Sequence, residues 1–154
     1  MMEDPSMPDY NHILAAVDFS AAAEAIGKRA LDLSRRYDCQ VTLIHVVDYL
    51  LPLGYADDFT PSPVLMIDEN ELLEQSQRSL RTFAQKTGLE GARRQVLPGS
   101  PRQEIIRFAR DHGVDLIVIG SHGRHGLDRL LGSTARSILN DAPCDVLAVR
   151  IKEA

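Results

Sequence analysis

The chain has 154 residues, 44% of them hydrophobic and 25% charged, a composition that excludes disordered, collagenous and low-complexity classes. Its net charge of −5, lack of Trp and 5% aromatic content argue against nucleic acid as a partner, since neither a basic footprint nor a stacking platform is available. No apolar run approaches the roughly 18–20 residues that span a bilayer, so no membrane insertion is expected. The N-terminal MMEDPSMPDY is acidic where a secretory leader is basic, which predicts a cytoplasmic protein. Cys39 and Cys144 are too few for a disulfide framework and are expected as small buried thiols beside strands.

Residues 1–9 carry no periodicity and read as a flexible tail ahead of a single domain over 10–154. The apolar run HILAAV (12–17) predicts a first strand ending at Asp18, with Ser20 a candidate helix cap. Ala22, Ile26, Ala30, Leu33 and Tyr37 recur at helical spacing over 21–37. QVTLIHVV (40–47) is a second buried strand, in which His45 reads as a satisfied core histidine. Residues 48–67 hold Pro52, Gly54, Pro61 and Pro63 without a clear period and read as a lid or partner-facing loop. Leu72, Ser76, Leu80, Phe83 and Ala84 mark a second helix, with Gly88 just past its end as a cap. A weaker strand follows at 92–97. Ser100-Pro101-Arg102-Gln103 then reads as a capping box with Pro in the first turn, and Ile105, Ile106 and Ala109 form the buried side of that helix. DLIVI (115–119) is the clearest strand, 133–140 a short helix and 145–150 the last strand. Alternating strands and helices imply a parallel sheet covered on both faces, a doubly wound α/β fold.

The chemistry is expected after the fourth strand. Gly120-Ser121-His122-Gly123-Arg124-His125-Gly126 follows it directly, and Gly132-Ser133-Thr134 opens the next helix. Glycines let consecutive N–H groups converge on an anion, and a helix N-terminus adds free donors and the positive end of its dipole. The same glycines also suit a tight turn, and Ser133 an ordinary cap. The chain has no GxxxxGK[ST], and its glycines are not spaced GxGxxG after the first strand, so P-loop and dinucleotide-fold readings are disfavoured. His122 and His125 lack a third metal ligand nearby, so no metal site is expected there. Arg124, His125, Arg129 and Arg136 form a basic cluster that suits either phosphate or solvent. Asp57 and Asp58 read as solvated charge.

ILAAVDFS (13–20), LIHVVD (43–48), DLIVIGSHGRHG (115–126) and LLGSTARSILNDAPCDVLAVR (130–150) together resemble the universal stress protein family, and the resemblance spans about residues 10–151. It implies a Rossmann-like sheet of the adenine nucleotide alpha hydrolase type, with strand order 3-2-1-4-5. It also implies a homodimer through the last strand, at Asp145, Val146, Leu147, Ala148 and Val149, and a role as a stress-response sensor with a regulatory protein partner. The glycines are similar to those of the ATP-binding branch, G-x2-G-x9-G-[ST], but Arg124 to Leu131 is a spacer of eight residues, one short of nine. By that resemblance the cofactor is ATP, or AMP or ADP, with Mg²⁺ as an accompaniment. Ala16, Val17 and Asp18 would flank adenine and ribose, and Val46 and Ile119 would contact the base. Gly120, Gly123, Arg124, Gly132, Ser133 and Thr134 would hold ribose and phosphates. Asp18 equally suits an Asx turn before the first helix. No dedicated catalysis is expected beyond slow ATP turnover or self-phosphorylation, because no phosphate lysine accompanies Asp18 and His122.

Overall fold

The structure, a computed structural model, describes residues 9–20, 23–48, 68–121 and 132–150. The expectations placed on the tail over 1–8, on 49–67 with Asp57 and Asp58, and on His122, Gly123, Arg124, His125, Gly126 and Arg129 lie outside the described residues. Within them strands and helices alternate: β1 (His12–Ala16), α1 (Ala23–Tyr37), β2 (Gln40–Val47), α2 (Glu69–Thr87), β3 (Arg93–Pro98), α3 (Pro101–Asp111), β4 (Leu116–Gly120), α4 (Ser133–Asp141) and β5 (Asp145–Val149). The strands form one parallel sheet in the order β3-β2-β1-β4-β5, as expected.

Period-two alternation divides the core between the two faces of the sheet. Ile13, Ala15, Leu43 and Val118 pack with Ala23, Ile26 and Ala30 of α1 and Leu80, Phe83 and Ala84 of α2. Leu14, Ile44, Val46, Ile117 and Ile119 pack with Ile105, Ile106, Phe108 and Ala109 of α3 and Ala135 and Ile138 of α4. Tyr37, expected on the buried stripe of α1, is 39% exposed and sets its ring edge-on to Tyr10, with 5.0 Å between centroids. Phe108, three residues beyond Ile105, completes the buried side of α3 and carries the stacked ring of His112.

Strand ends shift by one residue, and at β4 a side chain takes over the hydrogen bonding. Asp115 precedes β4 rather than opening it, and its carboxylate accepts the N–H groups of Asn11 (2.8 Å) and His12 (3.0 Å). Val17 lies past the end of β1, although its N–H still donates to the Ile44 carbonyl at 2.9 Å. The third strand begins at Arg93, and the last ends at Val149 instead of Arg150. His12 is buried between the His112 carbonyl (3.2 Å) and the Thr42 hydroxyl (2.8 Å). A carbonyl only accepts, so Nδ1 carries the proton, and in the neutral ring Nε2 accepts from Thr42. Tyr10 donates to Asp145 at 2.8 Å, and that bond holds its phenol proton up to a pKa of about 12.

Of the helix ends marked in the sequence, Gly88 caps as expected and Ser100 does not, while Asp68 is a cap that the sequence pattern did not mark. Asp68 accepts from the Asn70 N–H at 3.1 Å, and Gly88 closes α2 at φ 81°, where a side chain is disfavoured. The expected capping box at Ser100 does not form: Ser100 makes no side-chain cap bond. Arg102 and Gln103 are exposed, so solvent can take the N–H groups that the hydroxyl would have bonded. Both cysteines are half-buried and free, on opposite faces of the sheet. Desolvation, reinforced by Asp115, raises both thiols, Cys144 to about 11, so they stay protonated and unreactive at neutral pH.

The α1–α2 contact turns on Gly27, where an added Cβ would lie 2.9 Å from both Phe83 Cζ and Thr87 Cγ2. Alanine is the better helix former by about 1 kcal/mol, while overpacking costs about 1–3 kcal/mol. Gly27→Ala is therefore expected to lose about 1 kcal/mol in urea unfolding. A raised midpoint would show that the two helices part at little cost.

Candidate functional site

Ligands of open parallel sheets bind beyond the carboxyl ends of the strands where connections diverge, and here that point lies between β1 and β4. The register Ala15↔Val118 sets Ala16 level with Ile119, so the residues after β1 and after β4 emerge side by side. Asp18 and Gly120 stand at those two ends. Gly120 leads to Ser121, whose N–H donates to the Val149 carbonyl (2.9 Å) and whose carbonyl accepts the Gly132 N–H (2.8 Å). Two hydrogen bonds thus fix the N-terminus of α4 against the end of β4.

That N-terminus differs from the others. Glu24, Glu69 with Glu71, and Glu104 lie in the first turns of α1, α2 and α3, whereas α4 has no acidic residue there; like α3, it has no side-chain cap bond. Gly132 is its N-cap, with extended backbone (φ −60°, ψ 158°), and Ser133 and Thr134 are exposed. Free N–H groups, a positive dipole end and two hydroxyls fit a phosphate-bearing ligand.

The expected site residues fall into three groups. Gly120, Gly132, Ser133 and Thr134 gather at the end of β4, and Asp18 sits beside them after β1. Ala16, Val46 and Ile119 share the sheet face packed by α3 and α4; Val46 and Ile119 are buried there and Ala16 is half-buried. Val17 points the other way, 4% exposed in the core beneath α1 and α2, so only its backbone lies near the site. Asp18 Oδ1 accepts the Ser20 N–H at 3.0 Å, the bond of an Asx turn. Among the described residues no cluster of three or more His, Cys, Asp or Glu is arranged for a metal. An open cavity of about 480 Å³ beside α2, lined by Phe19, Gln75, Arg78, Ser79 and Thr82, contains none of the expected residues.

Two features of the site escape sequence patterns. Phe19 has φ 60°, a left-handed backbone that costs a side-chain-bearing residue roughly 1–2 kcal/mol. Asp38 is the only other described non-glycine residue in that region, and Asp tolerates it. His45, half-buried, donates from Nδ1 to the Val17 carbonyl at 2.7 Å and lays its ring on Phe19, with 4.2 Å between centroids. A bulky residue between Asp18 and Ser20 was the available signal, but periodicity reports nothing about backbone handedness.

Residues 9–150 match the Universal stress protein family. The chain is 35% identical over 144 residues to universal stress protein A homolog 1 of Coxiella burnetii, covering 94% of this chain and 99% of that one. It is similar to the solved structure of universal stress protein UspA from Lactobacillus plantarum, at TM-score 0.68 and 26% identity, over 95% of this chain and 100% of that one. A universal stress protein in complex with cAMP shares the fold at TM-score 0.64 and 19% identity, over 92% of this chain and 98% of that one.

Proposed function

This chain belongs to the universal stress protein family, and from that premise we propose that it is a stress-response regulator whose site between β1 and β4 binds an adenine nucleotide. ATP is the first candidate, with AMP and ADP as alternatives. The observation that carries the reading is the α4 N-terminus, uncapped by any side chain, free of first-turn acid and tied through Ser121 to the end of β4. Gly120, Gly132, Ser133 and Thr134 would hold ribose and phosphates together with Gly123 and Arg124, and Mg²⁺ would accompany the phosphates. Asp18 would accept from ribose or adenine, Val46 and Ile119 would lie against the base, and Ala16 and the Val17 backbone would flank it. The role is binding, and no catalytic step is assigned. The cAMP complex is that neighbour's own and brings only the fold to this chain.

The edge strand β5, with Asp145, Val146, Leu147, Ala148 and Val149, is proposed as the homodimer contact that presents the nucleotide-dependent surface to a cytoplasmic protein partner. A constant monomer mass in sedimentation across concentrations would remove the dimer.

The Asp18–Ser20 bond supports a second reading, in which Asp18 only shapes the turn and the protein is a nucleotide-independent scaffold. Mass spectrometry of material released on denaturation, followed by ATP titration of the wild type and Asp18→Ala, separates the two. Under the first reading the wild type binds ATP, and Asp18→Ala weakens it by about tenfold, equivalent to about 1.4 kcal/mol. A wild-type protein that is empty and ignores added ATP leaves the scaffold.

A further inference from the structure

We infer that His45 is a positioning residue for this site, holding in place the turn that presents Asp18; the assignment rests on the nucleotide reading above. His45 touches the chain on both sides of Asp18. Before it, Nδ1–H donates to the Val17 carbonyl at 2.7 Å. After it, the imidazole lies against the Phe19 ring, tilted by 35°. A carbonyl cannot donate, so this bond fixes the proton on Nδ1.

The two contacts act on the turn that leaves β1. Val17 still bonds to the sheet, through its N–H to the Ile44 carbonyl at 2.9 Å. Phe19 then takes the left-handed backbone at φ 60°, a conformation it keeps only because its surroundings hold it there. Its ring is half-buried against the core beneath α1 and α2, with His45 on one side. The backward bend at Phe19 brings the Ser20 N–H to Asp18 Oδ1 at 3.0 Å. His45 comes from β2, which pairs directly with β1. The rigid sheet therefore sets the position of the turn, and Asp18 needs no reordering when a ligand arrives.

The test is ATP titration of the wild type, His45→Phe and His45→Asn, read beside amide hydrogen exchange at Asp18–Ser20 without nucleotide. His45→Phe keeps a ring on Phe19 but has no donor. His45→Asn places an N–H at the same number of bonds from the backbone as Nδ1. The expected result is about three- to tenfold weaker ATP binding by His45→Phe, faster exchange at Ser20 with the β1 amides unchanged, and recovery of most of both losses in His45→Asn. Wild-type binding with unchanged affinity in His45→Phe overturns the assignment and leaves the nucleotide reading intact. A wild type that ignores ATP overturns that reading, and this assignment with it. If His45→Phe does not fold, Phe19→Gly examines the other flank: glycine adopts φ 60° freely but offers no ring, so weaker ATP binding is expected, and unchanged binding is the overturning result.

Discussion

Ile117→Ala is expected to lower the unfolding free energy by about 2–5 kcal/mol, whereas Leu139→Ala changes it by no more than about 0.5 kcal/mol. Ile117 is fully buried on the interior strand β4, packed on the face covered by α3 and α4. Leu139 is 41% exposed on α4. Both changes remove aliphatic carbon, so their difference isolates burial and the cavity left where neighbours cannot collapse. A domain of this size is stable by about 5–15 kcal/mol, so the first change consumes a large share and the second almost none. Equal shifts in urea midpoint would mean that β4 is less tightly packed than its burial indicates.

Ser133→Glu is expected to act with opposite signs on stability and binding. A carboxylate in the first turn of α4, which now has no acid, should stabilise the free protein by about 0.3–1 kcal/mol. The same charge stands where the phosphates are proposed to lie. Like charges about 4 Å apart near a protein surface interact at up to about 4 kcal/mol, so ATP affinity should fall by at least about tenfold. Thermal unfolding and calorimetric titration of one preparation read both effects. A variant that gains stability and keeps its ATP affinity would place the phosphates elsewhere and remove the α4 N-terminus from the site.

What the sequence discloses and what it withholds divide along physical lines. QVTLIHVV is rich in apolar and β-branched residues, so β2 is legible to the residue, and Gly88 marks the end of α2 because a left-handed cap wants glycine. Asp115 looks like the first residue of a strand, yet its carboxylate takes two backbone donors from the residues around β1, a long-range pairing that no local pattern encodes. Ser100 has the right neighbours for a capping box, but solvent competes for the same donors. In the site, Gly120, Gly132 and Ser133 announce themselves by type and spacing, and Asp18 by its place after an apolar run. The direction of Val17 into the opposite face of the core follows from strict alternation along β1, as Ile13 and Ala15 share it. The hold of His45 on the Asp18 turn is a contact across 28 positions of chain, visible only once β1 and β2 lie side by side.

The hydrogen bond from Gly132 to Ser121 also bears on the spacer that is one residue shorter than in the ATP-binding pattern. It joins Gly132 to Ser121, which is itself bonded to Val149, so the helix start is set by the framework of β4, β5 and α4. For a flexible loop, closure entropy varies with the logarithm of length, and changing ten residues to eleven alters it by under about 0.1 kcal/mol. A difference of one residue between the anchors at Ser121 and Gly132 therefore leaves the helix start they carry in its place.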